Sequence, residues 1–153
     1  MPEKRPKSNK PSSRKKPASG ALGAKQPQSA APQHESQCLR FRFGRLDHGK
    51  WELSAISKTD HGRLLKKLAH FEEMTVAQAR ASGLLADYDV TSIPNRQATQ
   101  RLVNQYGAQD SLCRLYIASG ESLRLLGIRE RNEFHIVWWD PNHNVWPEGK
   151  IRR

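Results

Sequence analysis

The chain lacks most of the features that identify membrane proteins, secreted disulfide proteins and zinc proteins. It has two cysteines among 153 residues, too few for a disulfide or zinc framework. No stretch reaches the ~18 apolar residues that span a bilayer. The N-terminus has no apolar signal-peptide core, and its prolines oppose the amphipathic helix of a transit peptide. We therefore expect a cytoplasmic protein without a membrane partner.

The familiar catalytic motifs are absent as well. The sequence contains no P-loop, no GxGxxG, no CxxC pair and no GxSxG. Two of the six histidines, His61 and His70, are nine residues apart, which is not a ligand spacing on one helical face. The sequence therefore predicts neither a metal site nor a cofactor.

The first 36 residues differ in composition from the rest of the chain. They hold six of the nine prolines, none of the eleven aromatic residues, eight Lys or Arg and two Glu. Such a segment cannot bury enough apolar surface to offset its ordering entropy, so residues 1–36 are predicted to be a disordered basic tail. The tail either binds polyanions or serves only solubility. The net charge of +11 favours an anionic partner.

Residues 37–153 are predicted to form one α+β domain. Its helices are expected on one face of a small antiparallel sheet that ends in a three-stranded meander. Strands are expected at 38–43, 112–118, 123–129 and 134–139, with a possible further strand at 51–56. Three helices are expected: one from Ser57 or Thr59 to about residue 74, a short one capped by Thr75 and Gln78 that ends at Gly83, and one from Ser92 and Pro94 to Gly107. Residues 84–91 are expected to form a loop. The breaks between the last three strands are too short for a crossover, which predicts antiparallel pairing.

The meander concentrates residues that suit phosphate chemistry. It carries Arg114, Arg124, Arg129 and His135, and His143 follows it. Arg forks a phosphate and His moves a proton near neutral pH. In the simpler alternative, the arginines lie on an exposed face of the sheet and the histidine packs in the core. Strand alternation predicts that Phe134, Ile136 and Trp138 share one face, and that His135, Val137 and Trp139 share the other. The tryptophans fit either core packing or stacking on an unpaired RNA base.

Three segments resemble the RelE/HigB/YoeB group of bacterial toxins. They are Ser-Leu-Arg-Leu-Leu-Gly-Ile-Arg at 122–129, Phe-His-Ile-Val-Trp at 134–138 and His-Asn-Val-Trp at 143–146. The string from Gly127 to Pro147 is also similar to the end of a set of uncharacterised bacterial and phage-borne small proteins. The toxin resemblance implies a RelE-like fold, a metal-independent endoribonuclease, RNA or the ribosome as target, and an antitoxin-like protein partner.

Three hypotheses follow. In the first, the ribose 2′-OH attacks the adjacent phosphate, Arg124 and Arg129 stabilise the phosphorane, and His143 or His135 transfers the proton. Further nucleic-acid contacts are expected from Arg40, Arg42, Arg114, Arg131, Lys150, Trp139 and Trp146. In the second, a non-catalytic nucleic-acid-binding or accessory protein uses the same basic surface and tail. In the third, the tryptophans bind a protein partner. An enzyme requires His and Arg to converge on one phosphate, whereas a binder needs only a spread-out basic face.

Overall fold

The computed structural model describes residues 33–117 and 123–146. Within these residues, three α-helices accompany one five-stranded sheet, so the predicted α+β class is confirmed. In chain order the elements are β1 (Arg40–Arg42), α1 (Lys58–Phe71), α2 (Val76–Ala81), β2 (Leu85–Asp89), α3 (Arg96–Tyr106), β3 (Ser111–Tyr116), β4 (Arg124–Glu130) and β5 (Glu133–Trp139). Among the described helices, none has the length and apolar character needed to cross a membrane.

The sheet has the strand order β1-β5-β4-β3-β2. β3, β4 and β5 pair antiparallel in sequence order, which confirms the meander, although Ala118 at the predicted end of its first strand lies outside the described residues. β1 pairs with β5 in parallel, with Arg40 opposite Glu133 and Arg42 opposite His135. The sheet is therefore mixed rather than wholly antiparallel.

The sheet is buried on both faces. Leu64, Leu68 and Phe71 of α1, with Val76 and Ala79 of α2, pack on one face, which we call face 1. Ala98 and Leu102 of α3 pack on the other, face 2, together with Val145 and Trp146. The expectation that all helices cover one face was wrong. Its physical reason is β4, where residues 124 to 128 are buried without a break, as in a strand covered on both sides.

A β-bulge in the last hairpin changes which tryptophan faces which core. Leu126 lies opposite Trp138 and Gly127 opposite Ile136, so one extra residue of β5 is accommodated between them. As a result Trp139 packs on face 1 with Ile136, while Trp138 packs on face 2. The predicted alternation therefore holds up to Val137 and is wrong for the two tryptophans.

The helix caps explain most element boundaries. Ser57 caps α1 by accepting from the backbone of Asp60, and Thr75 forms the predicted capping box with Gln78. α1 ends at Phe71 rather than near residue 74. α3 begins after Asn95, whose side chain accepts from the N–H of Ala98, and not at Ser92.

Two predicted segments adopt other structures. Residues 84–91 were expected to form a loop, but Leu85–Asp89 is the edge strand β2. The possible strand at 51–56 is a single 3-10 turn at Leu53–Ala55. Residues 1–32 of the predicted tail lie outside the described residues, and its last four residues, Gln33–Ser36, form a 3-10 turn.

Candidate functional site

Arg124 and His143, two of the predicted catalytic residues, are in direct contact. A guanidinium nitrogen, Nη2 of Arg124, reaches Nδ1 of His143 and donates to the carbonyl of Trp146 at 2.5 Å. A guanidinium can only donate, so a hydrogen bond in this contact requires Nδ1 of His143 to accept. The structure thus brings an Arg and a His together as the sequence suggested.

Burial limits what this pair can do. Arg124 is 1% exposed, and its Nε lies 3.9 Å from the fully buried carboxylate of Asp140. The two oxygens of Asp140 also accept the backbone N–H groups of Asn144 and Val145, at 2.7 and 3.0 Å. These contacts anchor the segment after β5 on face 2. Arg124 is therefore part of the core, and a phosphate would reach it only after this segment moved.

Arg129 is held in an ion-pair network on face 1. Its Nη2 and Nε donate to the two oxygens of Asp87 at 2.8 and 3.3 Å, and its Nη1 donates to the carbonyl of Arg131 at 2.6 Å. Asp87 also binds Arg80 at 3.0 Å, and Arg80 binds Glu35 at 3.1 Å. Burial raises the pKa of the Asp87 carboxyl, but the hydrogen bond and charge of Arg129 outweigh it and hold that pKa below its usual range.

The two predicted catalytic arginines do not converge. They lie five residues apart along β4, which separates their Cα atoms by about 17 Å in an extended strand. Arg124 packs toward Trp146 on face 2, while Arg129 packs toward Asp87, which lies opposite Cys113 of the face 1 core. One phosphate cannot contact both in this conformation.

His135 lies at the β1 edge of the sheet, apart from Arg124 and His143. Its Nε2 is buried, has no hydrogen-bond partner among the described residues, and lies 3.6 Å from Glu130 and 3.7 Å from Glu133. Burial lowers the pKa of His135 below its ordinary value, and the nearby charge of Arg45 acts in the same direction. This shift favours the neutral imidazole.

The β1 edge presents two of the predicted nucleic-acid contacts, Arg40 and Arg42. Both are exposed, but Arg42 binds Glu133 at 2.6 Å. Nearby, Arg45 binds Glu130 at 3.0 Å. Much of the positive charge at this edge is therefore balanced.

Two further predicted contacts lie elsewhere or beyond the described residues. Arg131 is exposed in the β4–β5 turn, with a positive φ of 60°. Lys150 lies outside the described residues.

Arg114 is stacked among aromatic rings on face 2. Its guanidinium carbon lies 3.8 Å from the centre of the Tyr116 ring and 5.2 Å from that of Tyr88, and it also donates to the Tyr88 hydroxyl. The Tyr88 ring in turn packs against Trp146 at 4.4 Å between centres. Trp139 and Trp146 are both buried, so neither offers a free face to a nucleobase. Of the two interpretations of the tryptophans, their burial fits core packing rather than stacking on an RNA base.

A buried carboxylate that sequence reasoning missed is Asp47. It accepts from Nη2 of Arg101 at 2.6 Å and also from Nε of that residue. Nε1 of Trp138 and the N–H of Gly49 each donate to it at 2.8 Å. Burial raises the pKa of Asp47, but these hydrogen bonds together lower it well below its usual range. The cluster ties the loop after β1 to α3. The turn residues at 47–49 gave no signal of it, because its partners come from distant parts of the chain.

A basic surface on α1 is the second feature that sequence reasoning left unused. Around the helix, Arg63, Lys66 and His70 lie on the side away from the buried stripe of Leu64, Leu68 and Phe71. Lys67 lies on the flank of that stripe, with its Nζ 5.9 Å from the centre of the Phe71 ring. Arg63, Lys66 and His70 are exposed. We call these three residues the basic stripe. Asp60 is the only acidic residue within the helix, and Glu72 and Glu73 follow its C-terminal end.

No grouping of three or more His, Cys, Asp or Glu side chains that could hold a metal occurs in the described part of the chain. Comparison with models of protein families, with curated proteins and with solved structures gives no match to this chain. The resemblance to the RelE/HigB/YoeB toxins therefore stays a prediction that rests on residues 122–147.

Proposed function

We propose that this protein binds nucleic acid through the basic stripe of α1 and the basic N-terminal segment, and that it acts by binding rather than by cleavage. The observation that carries the proposal is the distribution of cations. Arg124 and Arg129, which the catalytic hypothesis requires, are engaged with Asp140 and Asp87 inside the fold. Arg63 and Lys66 are exposed on α1.

The charge of the two parts supports the same interpretation. The described residues contain 15 Lys or Arg and 12 Asp or Glu, a net of +3, whereas residues 1–32 contain eight Lys or Arg and one Glu, a net of +7. A segment with this charge attracts a phosphate backbone through counterion release and adds affinity without sequence preference. The folded domain would then supply a second, fixed row of cations.

The test measures binding of a labelled single-stranded RNA by fluorescence anisotropy over a series of salt concentrations. Arg63→Glu/Lys66→Glu removes two cations from the stripe. Arg96→Glu/Arg131→Glu makes the same change in net charge at two exposed positions outside α1 and serves as the matched control. If both stripe residues contact phosphate, the slope of log K against log salt should become shallower by roughly 1.4 units, at ~0.7 per contact.

The control should retain its slope to within about half a contact, roughly 0.35 units. Equal losses in the two variants would show that only net charge matters, which would contradict an interface on α1. A wild-type chain that does not bind RNA at low salt would overturn the proposal as a whole.

The contact between Arg124 and His143 favours a second candidate, a RelE-like endoribonuclease. In that case the segment after β5 would have to open so that RNA could reach the pair. His143→Gln keeps a hydrogen-bond acceptor for Arg124 but cannot transfer a proton, so it should lower cleavage by ~10²-fold or more and leave binding intact. Denaturing gels of RNA incubated with wild type and variant measure this. Intact RNA with the wild type would eliminate this candidate.

A further inference from the structure

A groove lies between α1 and the chain that follows β1, with a volume of about 560 Å³. Leu46, Leu64 and Leu68 form its floor, and Phe43 and Leu65 stand at its sides. We call this the α1 groove. It opens on the edge of α1 that carries Lys58, His61 and Leu65, which the helical repeat places away from the basic stripe. The groove is therefore a separate surface from the proposed nucleic-acid interface.

Two of its side chains expose an unusual amount of apolar surface. Phe43 is 52% exposed and Leu65 is 54% exposed. The one other large hydrophobic side chain exposed among the described residues, Val103 at 42%, lies on α3 and stands alone. Neighbouring exposed apolar side chains beside an apolar floor are typical of a surface that a partner covers.

The polar residues in the lining of the groove include one lysine, two histidines and one serine, Ser54. Lys58, His61 and His48 line it. The one acidic residue in its lining is Asp47, whose carboxylate is occupied by Arg101, Trp138 and Gly49. The groove therefore combines an apolar floor with a rim that favours carboxylates.

These properties select among the possible occupants. The chain's own first 36 residues are poor candidates because they carry eight Lys or Arg, two Glu and no aromatic residue. A second copy would place the same basic rim against its counterpart. A nucleobase matches the groove less well, because Phe43 offers one ring for stacking but the leucine floor offers no donors or acceptors for base edges. An amphipathic peptide with aliphatic and acidic side chains matches both the floor and the rim.

We propose that the α1 groove binds an acidic amphipathic segment of a partner protein. Aliphatic side chains of that segment pack between Phe43 and Leu65 on the leucine floor. Carboxylates on its flanks meet Lys58 and His61. The charge sets the orientation of the segment and speeds its association, while the apolar contacts supply most of the affinity.

The test uses a synthetic helical peptide with leucines on one face and glutamates on the other. One control peptide replaces the leucines with serine, and a second replaces the glutamates with lysine. The full chain is titrated with each peptide, and NMR chemical shifts or anisotropy report binding. We expect the acidic leucine peptide to bind at least ~10-fold more tightly than either control, the scale set by one well-buried anchor.

Variants of the protein locate the site. Leu65→Ser should weaken binding of the acidic leucine peptide by about tenfold, and the matched variant Val103→Ser should leave it unchanged. Because both positions are exposed, both variants should fold, and thermal unfolding checks this. Equal binding of the three peptides, or equal losses in the two variants, would overturn the proposal. Displacement of the peptide by single-stranded RNA with chemical-shift changes at Phe43 and Leu65 would assign the groove to RNA instead.

Discussion

Replacing Arg124 by alanine should strongly destabilise the domain, because the contacts of Arg124 hold the segment after β5 on face 2. The substitution leaves Asp140, which is fully buried, without its cation and removes the donor to the Trp146 carbonyl. Breaking a buried ion pair from one side typically costs about 3–5 kcal/mol. Because the whole free energy of unfolding of a domain is only about 5–15 kcal/mol, the loss should be a large share of the stability.

Urea or thermal unfolding followed by circular dichroism measures this loss. The melting temperature should fall by about 10–30 °C for a domain of this size. Arg40→Ala is the matched control, because Arg40 is exposed on β1 and should change the free energy of unfolding by no more than about 0.5 kcal/mol. Asp140→Asn in the Arg124→Ala background should recover part of the loss, since it removes the uncompensated charge.

A loss below about 1 kcal/mol in Arg124→Ala would refute the structural role, because an exposed or poorly formed pair has that magnitude. The result also matters for function. If the variant is strongly destabilised, a loss of activity in Arg124→Ala reports unfolding and says nothing about catalysis. His143→Gln is then the variant that tests the ribonuclease candidate.

Two further predictions concern the fold. Asp47→Asn should lower the free energy of unfolding by about 1–3 kcal/mol at neutral pH, because an amide offers one acceptor oxygen where the carboxylate offers two to Trp138, Gly49 and Arg101. The pKa of Asp47 is lowered by folding, so its contribution to stability is complete above the unfolded value near 3.8 and declines as pH falls below it. In urea titrations, the wild type and the variant should therefore approach each other only in strong acid. Gly127→Ala should destabilise the β4–β5 hairpin, because a Cβ there would lie 2.2 Å from the carbonyl of His135; an unchanged melting temperature would show that the bulge can open without loss.

The sequence predicted the elements that depend on local signals. Thr75 and Gln78 form the expected capping box, and the short polar breaks correctly indicated an antiparallel meander. In both cases the determining residues lie within a few positions of each other. Signals from neighbouring residues were therefore enough to predict these elements.

What the sequence could not predict depends on distant partners. Residues 84–91 were predicted to form a loop, and Asp is depleted in strands. Asp87 is nevertheless stabilised in β2 by Arg129, 42 residues away. Periodicity placed Trp138 and Trp139 on the wrong faces because it assumes a regular strand. Gly127, an isolated glycine within a strand pattern, was the available signal for the bulge.

The candidate site was predicted in part. The sequence selected Arg124 and His143, which do meet, but nothing in it revealed that Asp140 buries the arginine. The basic stripe is visible in the sequence as a helical pattern, whereas the burial of Arg124 and the partial burial of Arg129 are not. The solvent exposure of a side chain depends on the tertiary structure. It decides whether an arginine or lysine can contact a phosphate or is instead buried in an ion pair within the core.

The parallel pairing of β1 with β5 affects how the chain folds during synthesis. β1 at Arg40–Arg42 has no partner strand until Glu133–His135 has been made, and these segments are more than 90 residues apart. At ~5–20 residues per second, a ribosome takes several seconds to bridge that interval. During this time Leu39 and Phe41 lack the Phe134 ring and the strand that later cover them. A nascent chain of this sequence therefore exposes Leu39 and Phe41, the apolar side chains at its first strand, to other proteins for longer than any other part of the sheet.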